Sequence, residues 1–349
     1  MQTIYKTKFM TKFFLVTIVA LLFNSCKPSI NSTKEDVAHT DSLLQIIKSP
    51  ELAAINKKLL ENPNDALLYN ERAYIYLKFK QTEEAMNDAK RSLRIDSTNV
   101  NSYLLEADIF FAANETHSAK DVLDKIIIKF PKNTDALLKL GELLYFVKQY
   151  EPAFAKINEA LKINQNLAKA YYLKGSMYKE TGDTAKAVSS LETAIEQDNK
   201  NFGAFLDLGL IYANRKNPIA IEYYNNALAL NPQSTEALYA KAKLFQDINK
   251  TDEALVIYNE IIKIDSLNKN SFYNMGAIEL DVKKDIPKAL EYFTKAINAE
   301  PKYAEAYYAR GVCYQQLKDK NNAYSDFNMC LQLKPNFEPA VESLNKLGK

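Results

Sequence analysis

Few side chains in this sequence could do covalent or metal chemistry, and their spacing argues against most of it. The two histidines, His39 and His117, lie far apart, and neither has a cysteine or acid at ligand spacing, so no zinc site is expected. No GxGxxG, Walker loop or GxSxG elbow occurs, and the chain has only 8 glycines. Acid pairs such as Glu83-Glu84 fall on faces expected to be solvated. Cys313 and Cys330 sit toward the C-terminal ends of two antiparallel helices, so about nine residues of axial offset, on the order of 13 Å, separate them. A disulfide needs Cα atoms within ~7 Å, and both are read as small buried core residues. Cys26 stands where an apolar run gives way to polar residues. The expectation is a chain that is no enzyme, with no cofactor and no metal.

The elements that place these residues follow from composition and period. Of 349 residues, 25% are charged and 47% apolar, ordinary values for a folded chain. Scarce glycine suits helices. The net charge is +2, and without Lys6, Lys8 and Lys12 of the leader about −1 remains. That leaves no basic stripe, so nucleic acid is not expected as a partner.

The segment 304–337 shows the organising unit: two helix-length blocks, 305–317 and 321–333, joined by the polar turn 318–320, with Pro335 after the second. Gly311 opposite Ala323 is expected to let the two helices approach closely, with Tyr307 packing over Phe327. The unit returns about every 34 residues. First-helix small residues are Ala73, Ala107, Gly141, Gly175, Gly209, Ala242, Gly276 and Gly311; second-helix ones are Ala85, Ala119, Ala153, Ala187, Ala220, Ala254, Ala289 and Ala323. One residue is missing near Asn217-Pro218 and one is added near Lys284-Asp285. Pro131, Pro232, Pro301 and Pro335 close four units, where a missing N–H ends a helix. Ala89 departs from the pattern, since a large residue belongs there.

Over roughly 66–337 this pattern resembles tetratricopeptide repeats. The resemblance implies an all-α, right-handed α-solenoid of about eight helix-turn-helix units: 66–99, 100–133, 134–167, 168–201, 202–234, 235–268, 269–303 and 304–337. Helical caps are expected at both ends, a leading pair over 35–65 and a short helix over 338–349. Ser49, Pro50 and Glu51 read as the start of the second leading helix.

Residues 1–25 carry three lysines, no acid, and the apolar run 13–23, about half the ~20 residues a spanning helix needs, so they read as a signal peptide, with Met1 or Met10 as its start. Its end, Leu22-Phe23-Asn24-Ser25-Cys26, resembles a bacterial lipobox, with Phe23 and Asn24 departing from the usual residues. That resemblance implies a lipidated Cys26, a flexible tether over 26–34 and a lipid-anchored protein of the cell envelope. Lys27 directly after the cysteine favours the outer membrane over the inner, and the periplasm is preferred to the surface.

In the family the resemblance names, first helices line a concave groove that holds protein or peptide segments. Here its candidate residues are Tyr74, Leu104, Phe111, Leu138, Tyr145, Tyr172, Leu206, Tyr239, Tyr273 and Tyr308. Tyrosine offers large contact area with a polar tip. No unit carries a Lys/Asn pair of the carboxylate-clamp type. The expected role is a membrane-anchored scaffold that assists an envelope or secretion complex; the alternative is an enzyme-partnered or carbohydrate-binding envelope lipoprotein.

Overall fold

The computed structural model describes residues 49–348, and the leader, Cys26, the tether and the first helix of the leading pair lie outside them. The fold is all-α. α1 (Pro50–Glu61) precedes eight repeats. Their first helices are α2 (Ala66–Lys78), α4 (Val100–Ala112), α6 (Thr134–Phe146), α8 (Ala168–Glu180), α10 (Phe202–Ala213), α12 (Thr235–Asp247), α14 (Lys269–Ile278) and α16 (Ala304–Gln316). Their second helices are α3 (Thr82–Ile95), α5 (Thr116–Lys129), α7 (Tyr150–Ile163), α9 (Thr184–Gln197), α11 (Ala220–Leu230), α13 (Thr251–Ile264), α15 (Ile286–Ala299) and α17 (Lys320–Leu333), and α18 (Glu338–Leu347) ends the array. The chain divides inside α6 into two compact bodies, 1–143 and 144–349.

Local chemistry sets the helix ends. Most first helices follow an Asp, Asn or Ser whose side chain accepts a hydrogen bond from a first-turn N–H. Asp65 Oδ1 takes Leu67 N at 2.9 Å, Asn133 Oδ1 takes Ala136 N at 2.7 Å, and Asn201 Oδ1 takes Ala204 N at 3.0 Å. Each turn within a repeat carries one residue at positive φ. Only Gly182 is a glycine; the others are Lys80, Asn114, Lys148, Lys216, Asn249, Lys284 and Lys318. A side chain there carries a steric cost that glycine avoids.

Inside a repeat, the small residue of the first helix nests against the large residue of the second. A Cβ placed on Gly209 would lie 2.5 Å from the Tyr224 ring, and one on Gly311 would lie 2.7 Å from Phe327. Gly276 stands in the same way against Phe293, and Gly175 against Leu191. The space that the glycine leaves is filled by the large residue of the second helix, and in the fourth repeat the carbonyl of the second-helix alanine, Ala187, also comes within 3.3 Å of the position a Gly175 Cβ would take. Tyr224, Phe293 and Phe327 are consequently almost fully enclosed, each contributing about 2–3 kcal/mol by burial. The Tyr308 ring lies 5.7 Å from that of Phe327, and Tyr307 packs on the same cluster. Ala323 is fully buried beside Phe327, and Gly141 is buried.

Two irregularities in period have local causes. The missing residue shortens the start of α11, which begins only at Ala220 after the turn at Asn217-Pro218. The added residue widens the end of α14 into a π-turn, Glu279–Lys283, closed by Lys284 at φ 58°. Cys313 and Cys330 are free, buried thiols in two different core clusters. Burial raises the Cys313 thiol to about 12 and the Cys330 thiol to about 11. At the end of the array, Ala340 and Leu344 of α18 pack on the Phe327 cluster.

Candidate peptide-binding surface

In the first body, Tyr74 and Phe111 are exposed, at 46% and 37%. Burial and the Asp108 carboxylate raise the Tyr74 phenol. Leu104 and Leu138 are each only 4% exposed. They are core residues, which corrects their assignment to the groove. Asn70, at the equivalent site of the first repeat, is also buried; its Nδ2 donates to Ser102 Oγ at 2.9 Å. Asp108 is paired with Lys139.

In the second body Leu206 is 6% exposed and belongs to the core around Tyr224, a third correction of the same kind. The tyrosines behave differently. Tyr145 donates to Glu180 Oε1 at 2.7 Å, and Tyr150 and Lys148 donate to Oε2 at 2.8 and 2.6 Å. Hydrogen bonds from Lys148, then Tyr145, hold the Glu180 carboxyl down at about 2. Tyr172 is half-buried, and its phenol lies against Gly203, where a Cβ would come within 2.7 Å. Asp207, 7% exposed, accepts from Ser176 Oγ at 3.1 Å and pairs with Lys179.

Further along, Tyr239 packs on Tyr258 at 6.0 Å and its hydroxyl accepts from Asn274 Nδ2 at 2.9 Å. Tyr273 meets Phe293 at 5.6 Å and Tyr303 at 5.3 Å. Tyr308 meets Phe327 at 5.7 Å and Phe337 at 5.2 Å. The half-buried tyrosines of α12, α14 and α16 therefore lie over the enclosed rings of α13, α15 and α17. They close the core beneath them while still presenting surface.

Sequence reasoning missed Tyr303 and Phe337. Each follows a closing proline at the same offset (Pro301, Pro335) and immediately precedes a helix. They stand where other repeats place a capping residue, and neither α16 nor α18 has a side-chain cap bond. An absent cap costs about 1 kcal/mol. The rings at these positions pack on the first-helix tyrosines of their own repeats, Tyr273 and Tyr308, contacts that a serine or asparagine would not supply. Among the described residues, no group of three or more His, Cys, Asp or Glu could hold a metal ion, and no helix is long and apolar enough to cross a membrane.

Comparison with known proteins bears on the same segments. Tetratricopeptide repeat profiles match residues 66–99, 101–133, 168–201, 212–268 and 304–337. The chain is 25% identical over 298 residues to a DnaJ homolog subfamily C member 7 homolog of Schizosaccharomyces pombe, covering 78% of this chain and 62% of that protein. It is 26% identical over 282 residues to the mitochondrial import receptor subunit TOM70 of Homo sapiens, covering 74% and 46%. The chain thus spans only about half to three fifths of the length of these curated relatives. A tetratricopeptide repeat protein of Cytophaga hutchinsonii superposes with TM-score 0.58 at 17% identity, over 69% of this chain and 99% of the solved one. The helix pairs, their glycine-to-ring packing and these matches agree: the chain is an α-solenoid of the tetratricopeptide repeat family.

Proposed function

We propose that this protein is a membrane-anchored scaffold that holds protein or peptide segments along its first helices and assists assembly of an envelope or secretion complex. The row of half-buried tyrosines on α12, α14 and α16 carries the reading. Such rings are ordered before a ligand arrives, so little side-chain entropy is lost on binding. Relatives named as a receptor subunit and as a DnaJ homolog support a protein partner. The protein acts by binding and not by catalysis. The lipid on Cys26 belongs to this proposal too: two or more acyl chains give stable anchoring where one is marginal. Its setting is the envelope, with the outer membrane favoured.

Two measurements test these parts separately. Metabolic labelling with a fatty-acid probe should mark the wild type and not Cys26→Ala; equal labelling would remove the anchor. Affinity capture from solubilised envelope should recover a protein that Tyr239→Ala releases. Recovery unaffected by substitutions at Tyr74, Tyr172 and Tyr239 would reject the first-helix surface.

A further inference from the structure

The first and eighth repeats each hold an arginine in the same set of partners. Arg72 reaches Asn56, sixteen positions before it, and both oxygens of Asp88, sixteen after; Arg310 reaches Thr294 and Asp326 in the same way. Tyrosines three positions before and four after flank each guanidinium, Tyr69 and Tyr76 or Tyr307 and Tyr314. The cation thus stands between the second helix of its own repeat and the helix that precedes the repeat. Both aspartates are nearly enclosed there, at 6% and 5% exposure.

The fourth repeat keeps this arrangement and leaves out one part. Lys174 takes the arginine site, with Tyr171 three positions before and Tyr178 four after. Its Nζ donates to Asn158 Oδ1, sixteen positions earlier on α7, at 3.1 Å. Sixteen positions later, on α9, Ser190 stands where the other two repeats have aspartate. The adjacent contact fixes that register: Gly175 packs on Leu191 as Gly311 packs on Phe327. Lys174 makes no ion pair among the described residues, and burial lowers its pKa with no carboxylate to oppose the shift.

The sixth repeat meets the same loss differently. There the aspartate site is the buried Ile257, Leu238 and Phe245 replace the tyrosines, and the Glu260 carboxylate bears on Lys241. In the fourth repeat the site stays polar and open: Lys174 and Ser190 are half-buried and Asn158 is exposed. An ammonium so placed gains from a charge-assisted hydrogen bond.

We infer that Lys174, Asn158 and Ser190 form a receiving site for a side-chain carboxylate, aspartate or glutamate, of a protein partner. The partner supplies from outside the group that Asp88 and Asp326 supply from within the chain. Lys174 Nζ donates to its oxygens, and the Ser190 hydroxyl and Asn158 amide add neutral donors. These groups come from three helices and lie apart from the first-helix surface proposed above, so either site can fail alone.

The place of the carboxylate is tested within the chain first. Ser190→Asp should raise the melting temperature by about 2 °C and lose that gain in a Lys174→Met background. No rise, or a rise that survives without the lysine, overturns the inference. Fluorescence anisotropy of the full chain then tests the partner, with labelled dodecapeptides of Gly-Glu-Ser or Gly-Gln-Ser repeats at about 150 mM salt. The glutamate peptide should bind at least about fivefold more tightly. Lys174→Met should remove that preference, and so should Ser190→Asp, which fills the site. Lys263→Met, at an exposed lysine on α13, should keep it. Equal binding of the two peptides, a preference that Lys174→Met leaves intact, or one that Lys263→Met removes as well, overturns the inference. If acetate at the same carboxylate concentration raises the wild-type melting temperature as much as the glutamate peptide does, the site takes small anions and the partner assignment falls. Tyr239→Ala should leave the preference unchanged; its loss there would move the acidic ligand to the first-helix surface and overturn the assignment to Lys174.

Discussion

The first and eighth repeats share one polar frame and fill it differently. In the first, Arg72 donates to both Asp88 oxygens at 2.6 and 2.7 Å; in the eighth, Arg310 donates to both of Asp326 at 2.8 and 2.9 Å. Each guanidinium also reaches a polar residue sixteen positions earlier, Asn56 or Thr294. Each lies near two tyrosine rings, Tyr69 and Tyr76 in one repeat, Tyr307 and Tyr314 in the other. Beside this frame the first repeat packs Ala73 and Ala89, and the eighth packs Gly311 and Phe327, all buried. In the first repeat, Leu105 and Ile109 of α4 complete the cluster around Ala89. The difference teaches that helix crossing is held by the arginine pair while side-chain volume is traded across the seam. Glycine faces a ring, or alanine faces alanine with a leucine brought in from the next helix. Ala89 is thus no defect in the pattern.

The trade can be broken most severely by Phe327→Ala, which leaves a cavity against Gly311 and should lower stability by about 3–5 kcal/mol in urea unfolding. Gly311→Ala alone should cost about 1–3 kcal/mol, because its Cβ would crowd the ring at 2.7 Å. In the Phe327→Ala background the same change should stabilise, since it rebuilds the alanine pair of the first repeat. Additive effects in that cycle would refute the trade.

Next in size, Asp88→Ala and Asp326→Ala should each cost about 2–3 kcal/mol, because each strands a largely buried guanidinium. Clearly unequal losses would show that the two frames are not equivalent. A smaller effect has the opposite sign. Tyr224 takes the site held by Phe293 and Phe327, and its buried hydroxyl has no hydrogen-bond partner among the described residues. Tyr224→Phe should raise the melting temperature, by about 1 kcal/mol in stability.

The smallest contrast is with a solvated ion pair. Glu180 titrates below the usual glutamate range in the folded protein, at about 2. Its contribution is complete above that range and is lost as pH falls toward about 2. Solvent screening keeps it below about 1 kcal/mol. Glu180→Gln should flatten the acid limb of the stability curve by that amount, and an unchanged limb would mean that the cluster contributes nothing.

Much of this was legible in the residues. The spacing of Gly175, Gly209, Gly276 and Gly311 identifies the buried seam, and the prolines mark repeat ends. Spacing along one helix does not say which partner side chain fills the space a glycine leaves; in the eighth repeat it is Phe327. Period places Leu104, Leu138 and Leu206 on the same face as Tyr239, but it does not say how much of that face neighbouring helices cover. Leucine there is enclosed, whereas the longer tyrosine keeps part of its ring at the surface.

The π-turn has a consequence for how such a chain can change over generations. Its extra residue is absorbed within five positions, and α15 resumes with Ala289 and Phe293 in their ordinary places. An insertion that would throw a closed barrel out of alignment is here confined to the module that received it. Copies can accumulate length errors one at a time, each repaired where it arose, while flanking modules keep their sequence and spacing.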